Sequence, residues 1–184
     1  LTFDLRAALR RHKPQRASAE LRRRPDRELS FVEAAVSAGP ELMLDTCVYL
    51  DVLQGRTPST VDDLLRIRII NHSSVALAEL THAFGRLDPA DPRTRGVLRE
   101  IGATIDDIPA HRLSTPSVRA AGEAGMVAGL IARLSRRTDV AAILNDVALA
   151  LHANETGCVL LTRNIRDFDL VQQVVPAVRL ALYR

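Results

Sequence analysis

Short continuous apolar runs alternate with helical patterns along most of this chain. Leu42-Met43-Leu44 and Cys158–Thr162 are too short for helices and carry no charge, as expected of strands buried on both faces. Ile69–Ala76 opens as a third β-rich run, and Val178–Tyr183 is a candidate last strand. Between them lie helical patterns at 46–53, 60–68, 76–87, 96–105, 117–134, 140–157 and 164–173, the sixth stopped by Gly157. Residues 106–115 read as a loop or short strand. Strands that alternate with helices predict a parallel sheet with helices on both faces, a three-layer α/β/α fold. In such sheets ligands bind outside the carboxyl ends of the strands.

That rule selects the polar residues of interest. Asp45 ends the first apolar run, and Asn164 and Asp167 follow Cys158–Thr162 directly. Glu79 lies four residues beyond Val75, expected in the first turn of the helix after the second run. Asp146 is a lone acid in an apolar helix (Ile143, Leu144, Val147, Leu149), where burial costs several kcal/mol unless the carboxylate is paired or binds a cation. Taken singly, Asp45 reads equally as a helix cap, Glu79 as a surface charge and Asp167 as a turn former. Their convergence on one sheet edge, with few Lys or Arg between them, favours a shared role. Carboxylates without interleaved His or Cys form a hard oxygen site suited to magnesium or manganese rather than zinc. Such ions activate water and stabilise in-line displacement at a phosphodiester. The sequence holds no GxSxG elbow, Walker loop, GxGxxG or HExxH motif to suggest other chemistry.

Composition narrows the rest. A chain of 184 residues fits one domain with a sizeable core. Aromatics make up only 3%, without tryptophan, which disfavours base stacking as the main mode of nucleic-acid recognition. No apolar run approaches the ~18–20 residues of a membrane-spanning helix. Cys47 and Cys158 are too few for a disulfide framework and are expected as free thiols, with a cytoplasmic location the default. Residues 1–40 carry nine Lys or Arg against five Asp or Glu, whereas the remainder is near neutral. We read 1–40 as a basic N-terminal helical extension ended by Gly39-Pro40, and 41–184 as the α/β domain. Basic arms meet nucleic acid or acidic partners, or are simply solvated.

The segments LDTCVYLD, SSVALAELTHAF and NDVALALHANETGCVLLTRNIRDFDLV, in that order, resemble the PIN-domain family, and within it the VapC toxins of type II toxin–antitoxin systems. The resemblance covers about residues 41–183. It implies a Rossmann-like sheet, a magnesium-dependent endoribonuclease, an RNA substrate, a homodimer and a cognate antitoxin. Matched to the family's motif, the acids are Asp45, Glu79 and Asp146. The fourth position falls on Asn164, where members carry Asp or Asn, and Asp167 supplies or supports that ligand. Thr46 matches the hydroxyl residue beside the first acid, and Cys47 replaces the commoner Asn. Thr46, Thr162 and Arg163 are the substrate contacts expected in the domain, and Arg22, Arg23 and Arg24 those expected in the arm. The alternative is a catalytically weak PIN domain that binds RNA or acts in regulation. His82 shares a helix face with Glu79 but lacks a second ExxH partner, and His72 reads as a satisfied loop residue. Gly125 and Gly129, with Ala121 and Ala128, give a smooth helix face suited to core packing or to a dimer contact.

Overall fold

The computed structural model describes residues 3–32, 39–137 and 139–184, which form five strands and eight helices. The strands are β1 (Leu42–Leu44), β2 (Ile70–Ser73), β3 (Leu113–Ser114), β4 (Val159–Thr162) and β5 (Leu180–Leu182). They lie in the order β3-β2-β1-β4-β5, and every pair is parallel. The helices are α1 (Leu5–His12), α2 (Thr46–Leu53), α3 (Ser59–Ile67), α4 (Ser74–Arg86), α5 (Thr94–Asp106), α6 (Val118–Ser135), α7 (Val140–Glu155) and α8 (Ile165–Val174).

The side-chain period of two along each strand divides the interior. Met43, Leu160, Leu180 and Leu182 join a core built with α6, α7 and α8. Leu42, Leu44 and Leu161 point the other way, into a core shared with α2, α3, α4 and α5. This is the three-layer α/β/α arrangement expected from the alternation, and it explains why β1 is buried throughout. Gly157 stops α7 at φ 74°, a conformation that glycine takes without strain. The strand order reverses beside β1: its chain-order successor β2 pairs on one side and β4 on the other. A crevice therefore opens at the carboxyl ends of β1 and β4. Behind it, buried His152 of α7 links the sheet edge through Ser73 Oγ at 2.9 Å and Ser114 Oγ at 3.0 Å. Burial lowers its pKa, with Glu155 opposing, so the ring favours the neutral form in which one nitrogen accepts.

The amino-terminal arm holds one short helix and one further helical turn. After α1 it runs without regular helix to a single turn at Asp26–Glu28. Residues 33–38, which the sequence places in the same extension, lie outside the described residues. The ring of Phe3 lies over Gly122 of α6, where a Cβ would meet it at 2.5 Å, so only glycine fits that approach. Leu21, Leu29 and Phe31 pack against the α6–α8 core. Phe31 then forms a parallel bridge with Leu182: Leu182 N–H donates to Ser30 O at 2.9 Å, and Val32 N–H donates to Leu182 O at 2.8 Å. The arm thus covers the exposed edge of β5, an edge that would otherwise template pairing with another chain.

The arm's three consecutive arginines each meet an acidic side chain of this chain. Arg24 donates through Nε to the fully buried Asp169 at 2.6 Å, through its backbone N–H to the same carboxylate at 2.7 Å, and through Nη2 to Gln172 at 2.6 Å. Arg23 pairs with Asp26, and Arg22 with Glu20 on an exposed surface. Removing the Arg24 side chain leaves a buried carboxylate without its cation. Arg24→Ala is therefore expected to cost about 2 kcal/mol in urea unfolding, whereas Arg22→Gln should stay within about 0.5 kcal/mol. Equal, small effects from both would show that the Asp169 pair does not hold the arm.

Candidate metal centre

Asp45 is delivered by the end of β1 and is 5% exposed. It stands at the N-cap of α2, yet its side chain makes no capping bond. Instead its Oδ2 accepts from Thr162 Oγ1 at 2.6 Å and from Cys47 Sγ at 2.9 Å. Glu79 comes from α4, in its second turn rather than the first, because the helix begins directly at Ser74 without a connecting loop. Its carboxylate accepts from Thr46 Oγ1 at 2.6 Å and from Asn145 Nδ2 at 2.9 Å, a bond that ties α4 to α7. Asp146, next along α7, accepts from Asn164 Nδ2 at 3.2 Å.

The electrostatics show that these acids share one cleft. Burial raises the pKa of Asp146 to about 8, reinforced by the charges of Asp45, Asp167 and Glu79 and opposed by Arg137. Burial also raises Asp45, with the Cys47 and Thr162 hydrogen bonds opposing and Glu79 adding to the rise. The Cys47 thiol is pushed up to about 12 by burial and by Asp45. It stays protonated, donates to Asp45, and accepts from the Arg163 backbone N–H at 3.2 Å.

The remaining candidates divide. Asn164 caps α8: its Oδ1 accepts from Asp167 N–H at 3.3 Å, while its Nδ2 faces both Asp146 and Asp167. So placed, Asn164 braces two acids through its amide nitrogen and caps α8 through its amide oxygen. Asp167 is paired with Arg137, which the loop after α6 brings in. Thr162 is fully buried and holds Asp45, and partly buried Thr46 is turned to Glu79, so both hydroxyls position acids. Arg163 donates to Asp51 at 2.7 and 3.2 Å. Asp51 was not singled out in the sequence. It is 1% exposed and also bound by Arg56 at 3.0 Å and by Tyr183 Oη at 2.8 Å. Burial would raise its pKa, but Arg163, Tyr183 and Arg56 together hold it below the usual carboxylate value. Its spacing of six from Asp45 gave no separate signal. His72 bonds Tyr49 Oη at 2.6 Å, and Cys47 and Cys158 are free. Among the described residues no three His, Cys, Asp or Glu side chains, His82 included, are gathered tightly enough to ligate one ion as they stand. Asp45, Glu79 and Asp146 nonetheless supply the hard oxygen donors and the unrelieved like charge that a divalent cation satisfies.

Comparison with solved structures defines the class of fold. The chain is similar to FitAcB from Neisseria gonorrhoeae, at TM-score 0.54 and 19% identity over 78% of this chain and 96% of that one. It is similar to the DNA-bound VapBC of Salmonella typhimurium, at 0.53 and 23% over 78% and 98%. It also resembles VapBC-1 of nontypeable Haemophilus influenzae, at 0.52 and 21% over 76% and 95%. The likeness is one of fold: the chain shares the parallel α/β architecture of these VapBC and FitAcB structures. No family model and no curated protein matches the sequence.

The raised pKa of Asp146 fixes the sign of a pH effect. The folded state retains a proton that the unfolded carboxyl releases near its ordinary value of 3.8. The Asp146 contribution is thus favourable below about pH 4 and is lost as pH rises towards 8. In EDTA, Asp146→Asn should raise Tm most at pH 8, by an amount worth several kcal/mol at ~1.4 kcal/mol per unit, and the gain should shrink towards pH 4. A gain independent of pH would remove Asp146 from the charged cluster.

Proposed function

We propose that the chain is a metal-dependent endoribonuclease, the toxin of a type II toxin–antitoxin pair that acts in the cytoplasm. The observation that carries this reading is the cleft at the β1–β4 crevice, where Asp45, Glu79 and Asp146 from three elements repel one another. These three would hold magnesium or manganese. The ion, when bound, supplies water activation and charge stabilisation for in-line displacement at phosphorus. The chain's own donors do the positioning: Thr162 and Cys47 orient Asp45, Thr46 and Asn145 orient Glu79, and Asn164 orients Asp146. Arg163 stands at the mouth with its side chain 46% exposed, where the Asp51 pair aims it for a phosphate contact.

The partners follow from the same reading. The fold is shared with structures named VapBC and FitAcB, and together with the motif resemblance to VapC toxins this supports a cognate antitoxin for this chain. RNA is the substrate, and a homodimer is the expected assembly. No helix among the described residues is long and apolar enough to cross a membrane.

Asp45→Asn is expected to reduce magnesium-dependent RNA cleavage by on the order of a hundredfold or more, with an unchanged far-UV spectrum. EDTA should abolish cleavage by the parent, and manganese should restore it. Specific RNA binding without cleavage at saturating metal would favour the binding or regulatory alternative.

A further inference from the structure

We propose that Arg137 is a resident cation of this cleft, holding Asp167 away from a divalent ion and limiting the site's metal affinity. The inference rests on the metal-centre reading above and concerns a residue that reading does not use. Arg137 Nη1 donates to Asp167 Oδ1, and the two side chains are only 17% and 13% exposed. Few surface ion pairs are so enclosed, and a pair shielded from water is weakly screened by salt. The backbone that launches Arg137 is fixed. Arg136 takes the left-handed conformation at φ 56°, and Arg137 N–H returns to Ala132 O at 3.0 Å, which closes the end of α6. The guanidinium is therefore presented to the cleft by a defined turn and not by a wandering surface chain.

On the other side, Asp167 Oδ2 receives Asn164 Nδ2 at 3.3 Å, and the same amide nitrogen reaches Asp146 at 3.2 Å. Arg137, Asp167, Asn164 and Asp146 form one continuous chain of contacts. With both oxygens of Asp167 engaged, that residue is a positioning group for Arg137, and the metal set reduces to Asp45, Glu79 and Asp146. Guanidinium is permanently charged, so its field opposes a divalent ion at every working pH.

The test is calorimetric titration of the full chain with manganese, for the parent, Arg137→Gln and Arg137→Lys, each with Tm measured in EDTA and in excess manganese. Arg137→Gln should bind manganese more tightly, on the order of tenfold for one charge removed at close range. It should also gain more Tm on metal addition than the parent does. Arg137→Lys should stay near the parent. Equal affinities for parent and Gln variant would overturn the inference and leave the metal centre standing. Tightening by the Lys variant as well would tie the effect to shape rather than charge and also overturn it. Absence of manganese binding in all three proteins would overturn both readings.

Discussion

Like charges crowded into a half-buried crevice are the constraint around which this molecule is arranged. A carboxylate pushed to a pKa near 8 by burial and by three neighbouring acids destabilises the folded state at neutral pH. The fold tolerates this because each acid arrives on a different rigid element: the end of β1, the second turn of α4, and the middle of α7. Two independent cores, one on each face of the sheet, hold those elements in place. The repulsion is thus set against the packing of both cores, where Phe168, Ile131 and Val61 are wholly enclosed.

The fold was legible because its signals are local. A strand buried on both faces needs uninterrupted apolar residues, and Leu42–Leu44 and Val159–Thr162 show them without reference to the rest of the chain. The acids were legible for a related reason, since strand ends and sheet edges follow from the same pattern. Their partners were not. Thr162 reaches Asp45 across 117 positions, and Arg163 reaches Asp51 across 112. Arg137 meets Asp167 across 30 positions through a helical turn whose direction no spacing rule gives. A hydroxyl beside an acid, such as Thr46 or Thr162, reads the same in sequence whether it points out of the cleft or into it.

The arm shows a second limit of composition. Its surplus of basic residues is real, but net charge does not say which side chains are committed. Arg24 lies against a carboxylate with no exposure at all, and Arg11 is paired with the nearly buried Glu123 of α6. On α8, Asp169 is two residues from Asp167, about 200° around the helix. The arm therefore grips the side of α8 that faces away from the acidic cleft. Arm and cleft share a helix without sharing a surface, so positive potential from the arm can reach the cleft only through space, where salt screens it.

Within the cleft, the choice of donors decides what the acids can still do. Thr46, Thr162, Cys47, Asn145 and Asn164 are all neutral, so they orient carboxylates without cancelling charge. The Cys47 thiol, held at about 12 by burial and by Asp45, keeps its proton beside that carboxylate. A thiolate there would add a fourth like charge and turn the donor into an acceptor. Orientation by neutral groups leaves Asp45, Glu79 and Asp146 fixed in place and still short of a counter-charge, which is the condition a divalent ion meets. The contact at Asp167 differs in kind. Its partner is a cation, so that carboxylate is already satisfied, whereas the three acids that neutral donors hold are not.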